Sequence, residues 1–368
     1  MKILHIQVLP KLSGVQRVSL EIFKSLPPEY DKTVMFSNET DCGSFDECVR
    51  EFEATGAKVI FSDNLKREIS PLCDFRAMKE IYRLCRKEGF DIVHTNSTKP
   101  GIVGRIAARC ARVPKVVHTV HGLAFHRFIR FPRWQFYWAC EMAASVFSHK
   151  ITIVNRYYQK HFKWFRKKTS TIYNGLDFSK FPQLELRRST DKKVRILFVG
   201  RLDTAKNPMM LLRVARKVCD VYPETVFTFV GDGEYMQQCR DFVAENKLDT
   251  NVELVGWSDN PAQYYASHDI FAMTSIYEAF GLIFLEAGFY ELPSVATMVE
   301  GIPEVVADGV TGFLSEPNDE DSFVRNIVTL IENPEMRKKM GVAAKKRVTE
   351  KFSAGKMVEQ YISLYQAK

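Results

Sequence analysis

The sequence has no long apolar run and no cysteine pattern typical of metal-binding or disulfide-bonded domains. Its most apolar segment, residues 134–147, contains Gln135 and Glu141 and is shorter than the roughly 18 apolar residues of a membrane-spanning helix. None of the eight cysteines stands in a CxxC or zinc-type Cys/His spacing. The first ten residues lack a small-residue cleavage site and are expected to form a strand. We therefore expect reduced thiols and a cytoplasmic protein that does not cross a bilayer.

Signals for nucleic-acid, nicotinamide and metal binding are also missing. The run GDGEY, residues 231–235, follows a strand-like segment but lacks the third glycine of a dinucleotide fingerprint. The basic residues are not accompanied by a helix-turn-helix, RNP or zinc-finger pattern. The only D-x-D sequence, residues 319–321, precedes a helical region and is expected to cap a helix. We expect no nucleic-acid partner, no cofactor and no metal requirement.

Basic residues are concentrated in one part of the chain. Residues 99–170 contain fifteen Lys or Arg and one acid, Glu141, so this segment carries +14 in a chain of net charge +8, and the remainder carries −6. Within it, basic residues interleave with aromatic ones. Such a segment suits an anionic membrane surface, with a solvated basic face as the alternative. The side chains expected on this membrane or acceptor side are Arg127, Arg130, Arg133, Trp134, Lys163, Trp164, Arg166, Lys167 and Lys168.

Short apolar runs alternate with amphipathic stretches, which is typical of parallel sheets covered by helices. The segment FSKFPQLELRRSTDKK interrupts this alternation, which resumes after it. We therefore predict an α/β protein of two Rossmann-like, doubly wound domains facing across a cleft, 1–177 and 194–368, with a linker at 178–193 and a helical tail that packs back on the first domain. The predicted strands are 2–9, 33–37, 58–62, 91–95, 115–120, 151–154, 194–199, 226–230, 252–255, 270–274 and 294–296.

Two carboxylates, Glu278 and Glu286, frame the run SIYEAFGLIFLEA. An apolar run precedes it, and apolar residues recur with helical spacing after Gly281, which places Glu278 in a loop and Glu286 in a helix. Ligands bind at the carboxyl ends of strands in such sheets, and a helix N-terminus attracts phosphate. Eight helical residues rise about 12 Å. The pair can therefore reach hydroxyls on two sugars flanking a diphosphate, but cannot jointly hold one metal.

Three more segments stand where ligand-binding loops are expected. Arg201 and Lys206, in LFVGRLDTAKNPMMLL, flank the start of a helix and can neutralise a diphosphate without a metal, the alternative being a solvated loop. Ser13 and Gly14 open a helix after the first strand, where backbone can approach phosphate closely. His121 ends a strand and is followed by glycine; a lone histidine in this position is more often structural.

The motifs IYNGLD, FVGRLDTAKNP, FVGDGE, the run from Glu278 to Glu286 and GIPEVVADGVTGFL stand in the order and spacing of a known family. Their combination resembles family 4 retaining glycosyltransferases of the GT-B fold, and looks most like bacterial enzymes that build capsule, O-antigen or exopolysaccharide. The resemblance covers nearly the whole chain. Two positions depart from the family pattern: Ser13 stands where many members have glycine, and Glu300 replaces a glycine in TMVEGIPE.

The resemblance implies a role for each of these positions. Gly14 is expected beside the donor phosphates, and His121 beside the donor sugar near its anomeric carbon. Arg201 and Lys206 are expected to bind the diphosphate. Glu278 is expected to hold hydroxyls of the transferred sugar and Glu286 the ribose diol. Backbone amides around the sugar and phosphate are expected from Phe280, Gly281 and Leu282.

The sequence thus predicts a retaining, metal-independent hexosyltransferase. It is expected to move a hexose or N-acetylhexosamine from a nucleotide-sugar, most commonly a UDP-sugar, to a glycan or polyprenyl-diphosphate-linked acceptor, at the inner face of the cytoplasmic membrane. A sugar-nucleotide epimerase or hydrolase of the same fold is the enzymatic alternative. The third alternative is a non-catalytic scaffold that binds glycan or lipid.

Overall fold

The computed structural model describes residues 1–39, 44–126, 129–189 and 193–367. They form two compact units. One consists of Met1–Asn174 with Ala354–Lys368, and the other of Gly175–Ser353. Each unit contains one parallel sheet whose strands are connected by helices.

The first unit contains a seven-stranded sheet in which all neighbouring strands are parallel. Its strands are β1 (Lys2–Ile6), β2 (Asp31–Ser37), β3 (Lys58–Ser62), β4 (Ile92–Asn96), β5 (Lys115–Val120), β6 (Lys150–Ile153) and β7 (Thr169–Thr171). Their order is β3-β2-β1-β4-β5-β6-β7. The strand order reverses between β1 and β4, so the loops after these strands meet where such folds bind ligands.

Helices of the first unit cover both faces of this sheet. Successive residues of β1, Ile3 and Leu4, belong to different apolar cores, as expected of a strand buried on both sides. The helices before residue 174 are α1 (Gly14–Ser25), α2 (Phe45–Glu53), α3 (Pro71–Glu88), α4 (Thr98–Cys110) and α5 (Arg133–Val146), and two 3₁₀ helices span Arg156–His161 and Lys163–Lys168.

The second unit contains a six-stranded parallel sheet in the order β10-β9-β8-β11-β12-β13. Its strands are β8 (Arg195–Val199), β9 (Val226–Val230), β10 (Val252–Gly256), β11 (Ile270–Met273), β12 (Ser294–Thr297) and β13 (Gly312–Ser315). Its helices are α6 (Pro208–Cys219), α7 (Met236–Glu245), α8 (Ala262–Ser267), α9 (Leu282–Phe289), α10 (Ile302–Val305), α11 (Glu320–Glu332) and α12 (Pro334–Lys351), with a 3₁₀ turn at Phe178–Lys180.

The last helix, α13 (Ala354–Gln366), belongs to the first unit. Its Tyr361 and Tyr365 are buried in the same core as Ile3. The observed division therefore differs from the predicted boundaries of 1–177, 178–193 and 194–368. The sequence predicted that the helical tail packs on the first domain, but the predicted range 194–368 included this tail.

All eleven predicted strands occur, with ends shifted by up to three residues. Two further strands were not predicted, β7 and β13, which have three and four residues. Runs this short are held by pairing with β6 and β12 rather than by a readable apolar pattern. Among the helices within the described ranges, none has the length and apolarity to span a membrane.

Candidate active site

The loops that follow β8 and β11 are joined to each other in the second unit. The amide of Ile276 donates to the carbonyl of Ala205 at 2.8 Å. The Thr274 hydroxyl donates to the carbonyls of Asn207 at 2.8 Å and Lys206 at 3.2 Å. Because β8 and β11 are neighbouring parallel strands, these loops leave the same edge of the sheet. The loop with the predicted cations is thus fixed against the loop with the first predicted carboxylate.

Lys206 and Glu278 are in direct contact. The Lys206 Nζ donates to the Glu278 Oε2, and both side chains are mostly buried. Asp203 supports this arrangement, since its Oδ1 accepts from the Lys206 amide at 3.0 Å. Its Oδ2 lies 2.8 Å from the guanidinium of Arg201, a side chain that is 71% exposed. Both predicted cations therefore have carboxylate partners, which the sequence did not indicate.

Gly281 precedes the first turn of α9 and has φ +83°. A Cβ at this position would lie 2.6 Å from the ring of Phe284, so glycine is required both by conformation and by space. Glu278 lies in the loop before α9 and Glu286 within it, as the sequence predicted. The amides of a first helical turn have no intrahelical acceptor, so this end of α9 suits an anion.

Glu286 is oriented by Tyr265 of α8. The Tyr265 hydroxyl donates to the Glu286 Oε2 at 3.0 Å. Burial and the nearby Glu286 carboxylate raise the pKa of the Tyr265 hydroxyl well above its ordinary value, so it remains a donor. The carboxylate of Glu286 is thereby held in one orientation on α9.

The loop after β12 packs on the loop that contains Glu278. The Gly301 amide donates to the Glu278 carbonyl at 3.2 Å, and a Cβ at Gly301 would lie 2.2 Å from the carbonyl oxygen of Ala279. The preceding residue, Glu300, has φ +39°, a left-handed conformation that favours glycine. The departure at position 300 therefore places a side chain on a backbone shaped for glycine.

The glycines of GDGEY allow close packing rather than dinucleotide binding. A Cβ at Gly231 would lie 2.0 Å from the carbonyl oxygen of Gly200, and one at Gly233 would lie 2.4 Å from that of Leu202. The Leu202 amide in turn donates to the Asp232 carbonyl at 2.9 Å. The loop after β9 thus supports the loop that carries Arg201 and Lys206.

In the first unit, Gly14 and His121 follow β1 and β5. As predicted, α1 begins at Gly14, with Ser13 at its N-cap. His121 donates from Nε2 to the Oδ1 of Asn96, the last residue of β4, at 3.0 Å. Burial lowers the pKa of His121 to about 3. The imidazole keeps some exposed surface, and the direction of the shift is sufficient to leave it uncharged at neutral pH.

Comparisons with known proteins identify the family. The model of Glycosyltransferase Family 4 matches residues 12–180, and that of Glycosyl transferases group 1 matches residues 183–347. An Escherichia coli protein described as UDP-Gal:alpha-D-GlcNAc-diphosphoundecaprenol alpha-1,3-galactosyltransferase is 33% identical, over 99% of this chain and 96% of its own. The chain is a family 4 glycosyltransferase. The family is retaining, and the predicted hexosyltransferase activity is confirmed.

Other relatives of this glycosyltransferase include the Staphylococcus aureus capsular polysaccharide biosynthesis glycosyltransferase CapM, 25% identical over 99% of this chain and 96% of CapM. The structure resembles that of Anabaena HepE in complex with UDP, with a TM-score of 0.82 and 20% identity over 99% of both chains. The predicted fold of two Rossmann-like parallel-sheet domains of the GT-B type is thus confirmed. Neither the epimerase or hydrolase nor the non-catalytic scaffold is favoured.

The glycosyltransferase has a basic aromatic surface formed by residues 130–131, α5 and the 3₁₀ helix Lys163–Lys168. Indole rings pack on one another there, with Trp138 stacked on Trp134 at 6.4 Å and edge-on to Trp164 at 5.5 Å between ring centres. Phe131 and Trp164 are 79% and 75% exposed. We define this surface by Arg130, Phe131, Arg133, Trp134, Phe136, Trp138, Lys163, Trp164, Arg166 and Lys167.

Two charged side chains of this segment are used inside the fold: Lys168, which was predicted to belong to the surface, and Glu141. The Lys168 Nζ donates to the carbonyls of Ser145 at 2.7 Å and Ser148 at 2.8 Å, so it caps the end of α5 instead of facing outward. The one acid of the segment, Glu141, is buried 2.9 Å from the guanidinium of buried Arg105. Within residues 99–170, the exposed cations of this surface are therefore not paired with the one acid of the segment. Arg127 lies outside the described residues.

Sequence reasoning missed three side chains that position others: Asp203, Tyr265 and Asn96. Only Asp203 carried a signal, since it stands between the two cations in the chain. The prediction for the D-x-D sequence is confirmed, because the Asp319 Oδ1 accepts from the Ser322 amide at 2.9 Å and caps α11. Within the described part of the chain, no cluster of three or more His, Cys, Asp or Glu residues is placed to hold a metal.

Proposed function

We propose that this glycosyltransferase moves a hexose or N-acetylhexosamine from a UDP-sugar to a polyprenyl-diphosphate-linked glycan during synthesis of a bacterial surface polysaccharide. The observation that carries the proposal is the ion pair of Lys206 and Glu278, which places a cation and a carboxylate together at one edge of the second sheet. The E. coli relative, similar over nearly its whole length, is described as using UDP-galactose and a diphosphoundecaprenol-linked acceptor.

The second unit supplies the donor contacts in this proposal. Lys206 and Arg201 bind the diphosphate, which takes the place of the Glu278 carboxylate as the partner of Lys206. Glu278 is then available to accept hydrogen bonds from hydroxyls of the transferred sugar. The amides of Phe280, Gly281 and Leu282, at the start of α9, face the sugar and phosphate. A charged partner strengthens each such hydrogen bond.

Glu286 binds the ribose diol in the same scheme. A carboxylate accepts two hydroxyl hydrogens, and Tyr265 keeps this one from rotating. From the first unit, Gly14 is proposed beside the donor phosphates and His121 beside the transferred sugar, on the strength of the family resemblance.

Transfer with retention needs no protein nucleophile in this proposal. The glycosidic carbon becomes oxocarbenium-like as the diphosphate departs, and the charge that grows on the diphosphate is stabilised by Arg201 and Lys206. The acceptor hydroxyl attacks from the face that the diphosphate leaves, and a phosphate oxygen takes the hydroxyl proton. Both cations are permanent charges of the chain, so we propose that no metal is required. Full activity after EDTA treatment is the expected result.

The acceptor side of the proposal rests on the basic aromatic surface. Lys and Arg near an anionic bilayer each contribute about 1 kcal/mol, and aromatic rings settle at the headgroup level. The same surface would bring the enzyme to a polyprenyl-linked substrate, because that substrate is confined to the membrane. We propose a peripheral location at the inner face of the cytoplasmic membrane.

A panel of nucleoside diphosphate sugars in a thermal unfolding assay tests the donor assignment. A ligand that binds only the folded state at 100 times its Kd stabilises the protein by about 2.7 kcal/mol. UDP and one UDP-sugar should raise Tm for the wild type and lose this effect in Lys206→Met. Lys217→Met is the matched control, since Lys217 lies on α6 and pairs with Asp321. The assignment would be contradicted if all nucleotides raised the Tm of the wild type equally, or if UDP raised the Tm of Lys206→Met and Lys217→Met equally.

A further inference from the structure

Gln7, Asn96 and His121 lie at the carboxyl ends of β1, β4 and β5, which are successive strands of the first sheet. His5 of β1 pairs in register with His94 of β4. Gln7 and Asn96 each follow two residues later, so their side chains are on the same face of the sheet. His121 joins them through its hydrogen bond of 3.0 Å to Asn96. Three adjacent strands thus present one row of uncharged polar groups.

Gln7 and Asn96 have side-chain polar atoms without a hydrogen-bond partner among the described residues. Gln7 and Asn96 are both 1% exposed. Among the described residues, no hydrogen-bond partner exists for the Gln7 Oε1, the Gln7 Nε2 or the Asn96 Nδ2. Buried polar atoms in native proteins are nearly always paired. Three unpaired atoms at the edge where such folds bind ligands therefore indicate a ligand.

The hydrogen bond to Asn96 also determines which nitrogen of His121 carries the proton. The Asn96 Oδ1 can only accept, so the His121 Nε2 must donate. An uncharged imidazole has one hydrogen, and its Nδ1 is consequently an acceptor. The row then offers two donors, from the amide nitrogens, and two acceptors, the Gln7 Oε1 and the His121 Nδ1. It contributes no net charge.

This combination suits hydroxyl groups better than phosphate. A hydroxyl donates one hydrogen bond and accepts others, so vicinal hydroxyls can satisfy donors and acceptors together. A phosphate would leave both acceptors facing a negative oxygen.

We propose that Gln7, Asn96 and His121 form a subsite for the ring hydroxyls of an uncharged pyranose, with Asn96 as the residue that positions His121. This inference rests on the proposed function and extends it to two residues with no assigned role. The pyranose is the transferred sugar or the terminal sugar of the acceptor, since both present the same chemistry.

Kinetics of Asn96→Leu and Gln7→Met test the subsite. Donor KM is measured from slow hydrolysis of UDP-galactose without acceptor, acceptor KM from transfer, and UDP affinity by calorimetry. Loss of one uncharged hydrogen bond should raise one sugar KM by about tenfold and leave UDP affinity unchanged. An increase in donor KM assigns the transferred sugar, and an increase in acceptor KM alone assigns the acceptor.

Asn155→Ala is the matched control, because Asn155 is buried in the same unit and caps a 3₁₀ helix through the Tyr158 amide at 2.8 Å. It should lower Tm without changing either sugar KM. Nitrogen-15 NMR should show a protonated Nε2 on His121 in the wild type and a mixture of tautomers in Asn96→Leu. Unchanged KM values in both variants, or a protonated Nδ1 in the wild type, would overturn the subsite. Failure of wild-type UDP binding would instead contradict the proposed function, and the tautomer is read independently of it.

Discussion

Lys206 donates a hydrogen bond to Glu278 and thereby connects the loop after β8 to the loop after β11. Since these residues are proposed to bind different parts of the donor, their contact has a direct consequence. A diphosphate that takes Lys206 also releases Glu278 for the sugar. We therefore expect phosphate binding and sugar binding to be coupled through this ion pair.

Glu278→Gln should separate these two effects. It removes the anionic partner of Lys206, so UDP alone should bind at least as tightly as to the wild type. Transfer should decrease by about 10- to 100-fold, because a charge-assisted contact to the sugar is lost. Calorimetry with UDP and steady-state transfer rates give the two quantities. Weaker UDP binding together with normal transfer would contradict the coupling.

Lys206→Met should weaken UDP binding by about 100-fold, since a charged hydrogen bond to a phosphate contributes about 1.5–3 kcal/mol. Lys217→Met should leave UDP affinity within about twofold of the wild type, because Lys217 is paired with Glu320 and Asp321 on α11. Calorimetry measures both. UDP affinity that is equal in the two variants would exclude Lys206 as a diphosphate ligand.

Position 300 should tolerate glycine better than alanine. The left-handed backbone of Glu300 costs a residue with a Cβ roughly 1 kcal/mol relative to glycine. We expect Glu300→Gly to be more stable than Glu300→Ala by about this amount in denaturant unfolding. A ranking with alanine the more stable would show that the conformation carries no strain. We also expect the two variants to change donor preference, because the next residue, Gly301, contacts the Glu278 loop.

Much of this arrangement was readable from the sequence. The alternation of apolar runs predicted both parallel sheets, and helical spacing after Gly281 predicted that Glu278 lies in a loop and Glu286 in a helix. The partners of those residues were not readable. Tyr265 and Asn96 act through contacts whose geometry is set by strand pairing and loop packing, and neither stands in a recognisable spacing with the side chain it holds. Asp203 stands between the two cations in the chain, but its contacts are visible only in the folded loop.

The basic aromatic surface shows the same limit. The sequence indicated a basic aromatic segment and assigned Lys168 to its membrane or acceptor side, whereas Lys168 caps α5. Composition reports how many cations a segment has, whereas only the fold determines which are used internally. The buried pair of Arg105 and Glu141 is a further example, since Glu141, the one acid of residues 99–170, is buried.

Membrane binding should depend on the position of the basic charge and not only on its amount. Reversal of Arg130, Arg133 and Lys163 to Glu should release the protein from anionic vesicles. Reversal of Lys338, Lys339 and Lys346, exposed on α12, changes net charge equally and serves as the control. Cosedimentation with phosphatidylglycerol vesicles measures both. Equal release by the two triple variants would show nonspecific attraction, and no release by either would contradict the membrane proposal.

The buried histidines should make the fold sensitive to acid. Burial lowers the pKa of His5 and His121 to about 3 and that of His94 and His118 well below 6.5. As the pH falls, these histidines therefore bind protons in the unfolded chain at a higher pH than in the folded chain. Stability should be fully present above about pH 6.5 and decrease as the pH falls toward 3. Ionisable groups that face these histidines include Glu141, 3.7 Å from His118, Arg105, which pairs with Glu141, and Tyr361 and Tyr365, whose rings pack against His94.

Each buried histidine contributes about 1.4 kcal/mol per pH unit to this slope. Between pH 6 and 4, His5→Leu should therefore lower the slope of the unfolding free energy against pH by about 1.4 kcal/mol per pH unit. Chemical denaturation at several pH values measures it. A slope identical to that of the wild type would show that His5 titrates alike in the folded and unfolded chains.

The anomeric configuration of the product tests the central claim most directly. The test uses the donor and acceptor class that the E. coli relative is described as using, namely UDP-galactose, whose galactose is α-linked, and a polyprenyl-diphosphate-linked N-acetylglucosamine. Proton NMR gives the configuration of the new glycosidic bond. Retention predicts an α-linked galactose on the acceptor, formed by the wild type and much reduced in Glu278→Gln. A β-linked product, or free galactose with no transfer while UDP binds normally, would contradict the account.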